Sequence, residues 1–152
     1  MAEKEQPDNV VELRARALRL LARREHTRQE LEGKLQPHAG SSEQLQSLIS
    51  GLMQKNQLSE ERYAEERARR LSRKYGAARI RQDLKAKGVP EELVARFSSP
   101  EDELQKAKSI LERKYRTPAA TREEKAKRMR FLQSRGFSSA VIFTLLSARG
   151  AA

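Results

Sequence analysis

Three stretches of this chain read alike and fall at nearly equal steps. Leu35 closes Thr27-Arg-Gln-Glu-Leu31-Glu-Gly-Lys-Leu35. Leu84 sits in Arg79-Ile80-Arg-Gln-Asp-Leu84-Lys-Ala-Lys-Gly88-Val89, and Leu132 in Arg128-Met-Arg-Phe-Leu132-Gln-Ser-Arg-Gly136-Phe137. The three leucines stand 49 and 48 residues apart. A fixed period of that size predicts a tandem array of helical modules rather than one compact enzyme core. An array offers a long surface. With a net charge of +11, that surface suits a long anionic or polymeric partner.

Each unit of about 48 residues is near the lower size limit for independent folding, so neighbours are expected to lean on one another. The 37% hydrophobic share contains no Trp, which leaves Leu, Ala, Ile, Val and a few aromatics to build the cores. The absence of Cys excludes disulfides and Cys-based metal or nucleophile sites and agrees with a reducing compartment. Met1 to Asn9 is polar and carries no signal segment, and the longest apolar-rich run, Ala140 to Leu146, is too short for a bilayer. A soluble cytoplasmic protein with no membrane contact is expected. The charge is skewed: residues 1–56 carry net +1, residues 57–99 +4 and residues 100–152 +6.

Apolar spacing and capping residues place the elements. Residues 1–9 read as a flexible tail. Module 1 covers 10–58: a helix with the stripe Val10, Leu13, Ala17, Leu20 and Leu21, ending near His26. A second helix starts at the capping box Thr27-x-x-Glu30 and cannot pass Pro37. A third, opened by Ser41-x-x-Gln44, packs through Leu45, Leu48, Ile49 and Leu52. Module 2 covers 59–99, with Ser59 as N-cap, the stripe Ala64, Ala68, Leu71 and Tyr75, a break at Gly76, and a helix holding Ile80 and Leu84 that ends at Gly88. A short helix from Pro90 faces Leu93, Val94 and Phe97 inward. Module 3 covers 100–152: the stripe Leu104, Ala107, Ile110, Leu111 and Tyr115, a capping box Thr121-x-x-Glu124, a helix running to Gly136, and a last helix capped by Ser138 or Ser139 that buries Val141, Ile142, Leu145 and Leu146. Phe97, Phe131, Phe137 and Phe143 read as core, although Phe143 lies off the main stripe. Nothing alternates with period two, so no sheet is expected. The fold class is all-α, an elongated tandem array of three three-helix modules, about nine helices, built of helix-turn-helix-like units. Aligning the leucines sets Leu31 and Ile80 against Arg128, so Met129 is expected to take over the packing by a small rotation of that helix.

No catalytic constellation stands out, and the chain does not read as an enzyme. His26 and His38 lie at predicted helix ends without a Ser or Cys motif, and such histidines are expected at the surface. Two histidines without Cys do not make a metal site, no phosphate loop occurs, and no cofactor is implied. The acid pairs Glu60-Glu61, Glu65-Glu66, Glu91-Glu92 and Glu123-Glu124 begin or flank helices, where dipole and capping roles account for them. The basic clusters are the candidates for function. They are Arg67, Arg69, Arg70, Arg73 and Lys74; Arg79, Arg81, Lys85 and Lys87; Arg113 and Lys114; and Lys127, Arg128 and Arg130. Singly, each is better read as part of a solvated face with (i, i+4) acids such as Glu66. Taken together they read as a binding surface, since +11 exceeds what solubility requires. Tyr63, Tyr75 and Tyr115 could stack on bases, but packing at module junctions is the preferred reading.

Leu58-Ser-Glu-Glu-Arg-Tyr63-Ala-Glu followed by Tyr75-Gly76-Ala-Ala-Arg-Ile80-Arg-Gln-Asp-Leu84-Lys-Ala-Lys-Gly88-Val89 resembles the central signature of the RecX family, bacterial regulators of the RecA recombinase. Arg28-Gln-Glu-Leu31-x-x-Lys34-Leu35 resembles its first-module phrase, and Phe131-Leu132-Gln-Ser-Arg135-Gly136-Phe137-Ser138 its closing one. The family often has two aspartates before the Tyr-Ala phrase, where this chain has Ser59 and Glu60. The resemblance spans about residues 10–148. It implies a small three-module helical protein that binds the RecA filament along its groove and restrains ATP hydrolysis, strand exchange and coprotease activity, as part of recombinational DNA repair and the SOS response; a monomer fits the elongated shape. The basic residues above are then candidates for contact with RecA, or with single- or double-stranded DNA directly or through RecA. Two other readings compete. One is a direct DNA-binding protein whose helices Arg79–Lys87 and Arg122–Arg135 enter the major groove; the other is a helical scaffold for an acidic protein.

Overall fold

The computed structural model describes residues 6–150, with side chains described through Ser147. Among these residues the chain is helical throughout, with no strand. Six of the helices start at a residue whose side chain accepts an orphan N–H group of the first turn. Asn9 and Glu12 form a reciprocal capping box at α1 (Val10–Arg23). Thr27 caps α2 (Arg28–Leu35), which tightens into a 3-10 turn at Gln36–His38 around Pro37. Ser41 caps α3 (Ser42–Gln54) and Ser59 caps α4 (Glu60–Leu71). Gly76 precedes α5 (Ala77–Ala86), and Pro90 precedes α6 (Glu91–Phe97). Then come α7 (Glu103–Lys114), α8 (Arg122–Ser134) capped by Thr121, and α9 (Ser139–Gly150), where Ser138 accepts from Val141 N at 3.2 Å.

The apolar residues collect in three separate cores. Leu13, Ala17, Leu31, Leu35, Leu45, Ile49, Leu52 and Leu58 fill the first. Tyr63, Ala64, Ala68, Ile80, Leu84, Val89 and Val94 fill the second. Ala107, Ile110, Leu111, Leu132, Phe137, Ile142, Leu145 and Leu146 fill the third. Among the described residues no buried cluster crosses from one trio of helices to the next. The strongest helix–helix packing is likewise confined within α1–α3, α4–α6 and α7–α9. The accessible surface of 10395 Å² is well above the roughly 7900 Å² expected of a compact monomer of this mass, as an elongated array requires.

What joins the trios is polar and runs through their middle helices. The N–H of Gly76 donates to the carbonyl of Arg135 at 2.6 Å, so the end of α8 meets the start of α5. Gly136 takes φ +89, and a Cβ there would lie 2.5 Å from Arg79 Cβ and 2.7 Å from Arg79 N. Gly88, at φ +82, ends α5 in the same way against Gln29 in the first turn of α2. Two reasons for glycine coincide at these positions: a left-handed backbone and a neighbouring chain in van der Waals contact. Glu103 completes the seam between modules 2 and 3. Its Oε2 accepts from Ala77 N at 3.1 Å, while Oε1 faces Lys106 Nζ at 2.9 Å.

Several expectations are corrected. Within the expected tail 1–9, Asp8 is pinned: its N–H donates to His38 O at 2.8 Å and its carboxylate accepts from Arg16 Nε at 2.8 Å, while residues 1–5 lie outside the described ones. Val10 is exposed, because the buried face of α1 runs through Leu13 and Ala17. In α7 the inward position goes to Glu103 and Leu104 turns to solvent. Asp102, left-handed at φ 58, starts the helix one residue before Leu104. Arg128 stays buried in α8 and Met129 is exposed, so the expected rotation does not occur; the Arg128 guanidinium lies over the Tyr115 ring at 4.5 Å. Phe143 is exposed on α9.

His26, expected at the surface, is 1% exposed at the α1–α2 junction. Lys34 Nζ, which can only donate, lies 3.0 Å from Nε2, so Nδ1 carries the proton toward the Arg24 carbonyl at 3.0 Å. Burial, reinforced by the Lys34 ammonium, holds the imidazole below its ordinary value of 6.5. The unfolded chain therefore binds the proton more readily, and stability falls as pH drops below about 6.5. Urea unfolding across pH 5–7 is expected to show this acid loss in the wild type and a flatter dependence in His26→Gln. Gly136→Ala is expected to destabilise the protein by at least about 1 kcal/mol, whereas Gly33→Ala, with open space around it inside α2, is expected to stabilise it by about 0.5–1 kcal/mol in the same assay.

Candidate functional site

The fourteen basic candidates fall into three kinds of environment. The first kind is consumed internally. Arg67 projects from α4 onto α5, where Nε and Nη2 bind the Asp83 carboxylate at 2.5 and 2.9 Å as a fork. Arg128 is buried against Tyr115 and drops out of any surface. Sequence reasoning counted both as binding residues because their partners are distant along the chain or aromatic.

The second kind is tethered but charged. Arg79 Nη1 donates to Ser134 O at 3.0 Å, and its guanidinium sits 4.7 Å from the Tyr75 ring centre. Lys114 Nζ is 4.4 Å from the Phe131 ring centre. Arg113 donates to the Arg73 carbonyl, tying α7 to module 2. Arg69 and Lys85 make exposed pairs with Glu65 at 3.6 Å and Glu91 at 3.5 Å, which water screens heavily.

The third kind is free. Arg70, Arg73, Lys74, Arg81, Lys87, Lys127 and Arg130 are exposed, and their side chains find no carboxylate within ion-pair distance among the described residues. Arg70 and Lys87 flank a cavity of about 190 Å³ where modules 1 and 2 meet, but Glu25, Glu30 and Glu66 line it too. There Arg62 holds Glu25 at 2.8 Å and Arg24 holds Glu30 at 2.7 Å; the Arg24 hydrogen bond keeps the Glu30 carboxyl below its usual range.

The acid pairs Glu60-Glu61, Glu91-Glu92 and Glu123-Glu124 fall in helix first turns. Tyr63 is buried in the second core, and Tyr75 and Tyr115 are half-buried beside the seam between modules 2 and 3. Among the described residues no three His, Asp or Glu side chains converge as metal ligands. Arg135 is the surface residue that sequence reasoning overlooked. Its guanidinium lies over both Tyr75, at 5.4 Å, and Phe131, at 5.1 Å. The Arg-Gly pair at the end of α8, matching Lys87-Gly88 at the end of α5, was the available signal.

Comparison with known proteins assigns this architecture. Family models described as the first, second and third three-helix domains of RecX match residues 14–38, 59–96 and 101–146, in chain order. The chain belongs to the RecX family. The protein named Regulatory protein RecX in Ralstonia nicotianae is 38% identical over 142 residues, covering 92% of this chain and 89% of the relative. Its counterpart in Neisseria meningitidis is 41% identical over 136 residues, covering 88% of each. The crystal structure of RecX from Lactobacillus salivarius superposes with a TM-score of 0.80 over 94% of this chain and 97% of that one, at 20% identity. A second RecX crystal structure gives 0.70 at 23% identity, over 91% of this chain and 74% of that one. These two likenesses establish the fold, and the sequence relatives place the chain among regulatory proteins.

The three environments separate structural from surface cations. Arg67→Ala leaves Asp83 unpaired and is expected to cost about 1–3 kcal/mol in urea unfolding. Arg81→Ala is expected to stay within about 0.5 kcal/mol of the wild type.

Proposed function

We propose that this chain is a monomeric, non-enzymatic regulator that lies along the filament RecA forms on DNA and lowers its ATP hydrolysis, strand exchange and coprotease activity. The observation that carries this reading is the arrangement of three separate cores, joined in line by polar seams, with unneutralised cations concentrated in the second and third modules. The resemblance to RecX regulators supplies the partner.

The physical logic is multivalent. Several modest contacts held at fixed spacing add through effective concentration when the partner repeats at a matching spacing. A stiff array touching successive subunits of a polymer also resists changes in their spacing, and so opposes any activity that needs such changes. The place of action is the reducing bacterial cytoplasm, in DNA repair and the SOS response.

Direct duplex reading by α5 is disfavoured by one feature; α8, the other candidate reader, has an exposed first turn. Such motifs present the first residues of the recognition helix to base edges. Here the first turn of α5 is covered by Arg135, Gly136 and Glu103, and the first turn of α2 lies against Gly88.

Titrating the purified chain into RecA on single-stranded DNA is expected to lower ATP hydrolysis at well under one chain per RecA. The effect should fade as salt rises from about 50 to about 200 mM. No change at equimolar protein in low salt would overturn the proposal.

A further inference from the structure

Tyr63, Glu66, Arg67 and Arg70 stand three or four residues apart on α4 and so share one face. With Arg24, Glu25 and Glu30 from the α1–α2 junction and Lys87 from the end of α5, they enclose a cavity of about 190 Å³ between modules 1 and 2. Much of this wall is already satisfied. Arg24 grips Glu30 through hydrogen bonds of 2.8 and 2.7 Å, Arg62 holds Glu25 at 2.8 Å, and Arg67 grips Asp83 as a fork. Four groups are left over. Glu66, Arg70 and Lys87 have no ion pair among the described residues. The fourth is the Tyr63 hydroxyl. The tyrosine is 8% exposed, yet its oxygen makes no hydrogen bond among the described residues and is not sealed from solvent. Such a hydroxyl keeps its access through the cavity that its residue lines. Burial pushes the phenol above its ordinary value of 10.0, so it stays protonated and able to donate at neutral pH.

We propose that this cavity binds a small zwitterion with an acidic excess, an acidic α-amino acid such as glutamate. Two unpaired cations and a hydroxyl donor match two carboxylates, and the unpaired Glu66 carboxylate matches one ammonium. The carboxylates of Glu25, Glu30 and Glu66 in the wall repel a polyanion, so the cavity is not a continuation of the basic surface. Its volume holds about six waters, which suits a ligand of about ten heavy atoms and not a nucleotide or a folded segment. The walls come from both modules, so an occupant adds contacts across the first seam.

This inference goes beyond the filament reading and does not rest on it. It is tested on the full chain without RecA or DNA, at fixed ionic strength, by following the amide shifts of Tyr63, Arg70 and Lys87 by NMR as L-glutamate is added. Saturable shifts with a dissociation constant of about 1 mM are expected, the scale that about ten ligand atoms sustain. Tyr63→Phe removes one oxygen, keeps the ring in the second core, and is expected to weaken binding about tenfold, as loss of a hydrogen bond to a charged group does. Arg70→Gln with Lys87→Gln is expected to weaken it about tenfold as well. Lys127→Gln with Arg130→Gln removes the same charge from exposed positions on α8 and is expected to change affinity less than about twofold. Glutarate, which keeps both carboxylates and lacks the ammonium, is expected to bind about two- to fivefold more weakly than glutamate, and Glu66→Gln to abolish that difference. An absence of saturable shifts at these amides overturns the proposal. So do unchanged affinity in Tyr63→Phe, equal losses in the two double variants, or binding of glutarate or inorganic phosphate as tight as that of glutamate. If Tyr63→Phe loses helical content by circular dichroism, the Arg70 and Lys87 pair decides in its place: neither side chain has a partner among the described residues, and an unchanged affinity there overturns the site.

Discussion

The hydrogen bond from Gly76 N to the Arg135 carbonyl is the contact on which the shape of this molecule turns. Three small cores fold three trios of helices, yet none of them specifies how one trio sits on the next. That geometry is left to end-on docking of the middle helices, where the carbonyl end of α8 meets the amide end of α5. Opposite ends of two helix dipoles attract, and the orphan groups at each end find partners in the other. Apolar faces can slide across one another at little cost. A backbone hydrogen bond at 2.6 Å, flanked by Glu103 on Ala77 N and Arg79 on Ser134 O, is directional and holds an angle.

The same docking explains the distribution of charge. A helix end approached this closely leaves no room for bulky pairs, and glycine at positions 88 and 136 is the result. The long cations beside the glycines, Lys87 and Arg135, are pushed to the rim. At the first seam the rim meets glutamates from the α1–α2 region, and mixed charge follows. At the second seam it meets Tyr75 and Phe131, and the positive charge stays open. The rise in net charge from +1 to +4 to +6 along the chain is thus sharpened by which partners each seam supplies.

Much of the fold could be read from the sequence because the forces that form the helices are local. Thr27, Ser41, Ser59 and Thr121 each cap the helix their spacing announced, and Leu35, Leu84 and Leu132 are all fully buried. The misreadings share one cause. Glu103 and Leu104 exchange places because the partner of Glu103 lies 26 residues away on α5. Arg128 holds its inward place over Met129 because Tyr115, on the preceding segment, offers a ring to cover its guanidinium. His26 looked exposed because nothing nearby in sequence reveals that Lys34 and the Arg24 carbonyl close around it. Periodicity reports which face of a helix is apolar. It does not report which polar residue another element will cover, and so Arg67 and Arg128 were counted among the surface cations.

The line of middle helices also has closed ends, and this bears on what kind of ligand suits it. The carbonyl end of α2 is not finished by a left-handed glycine. It tightens through Pro37, and the His38 carbonyl accepts the N–H of Asp8 from the same chain. At the far end, the first turn of α8 is satisfied by Thr121 on Glu124 N and by Glu124 on Ala120 N. Both ends of the line of middle helices are thus closed in part by residues of their own module. On the function proposed above, an array finished in this way would engage a polymeric partner at a small number of sites, as a clamp does.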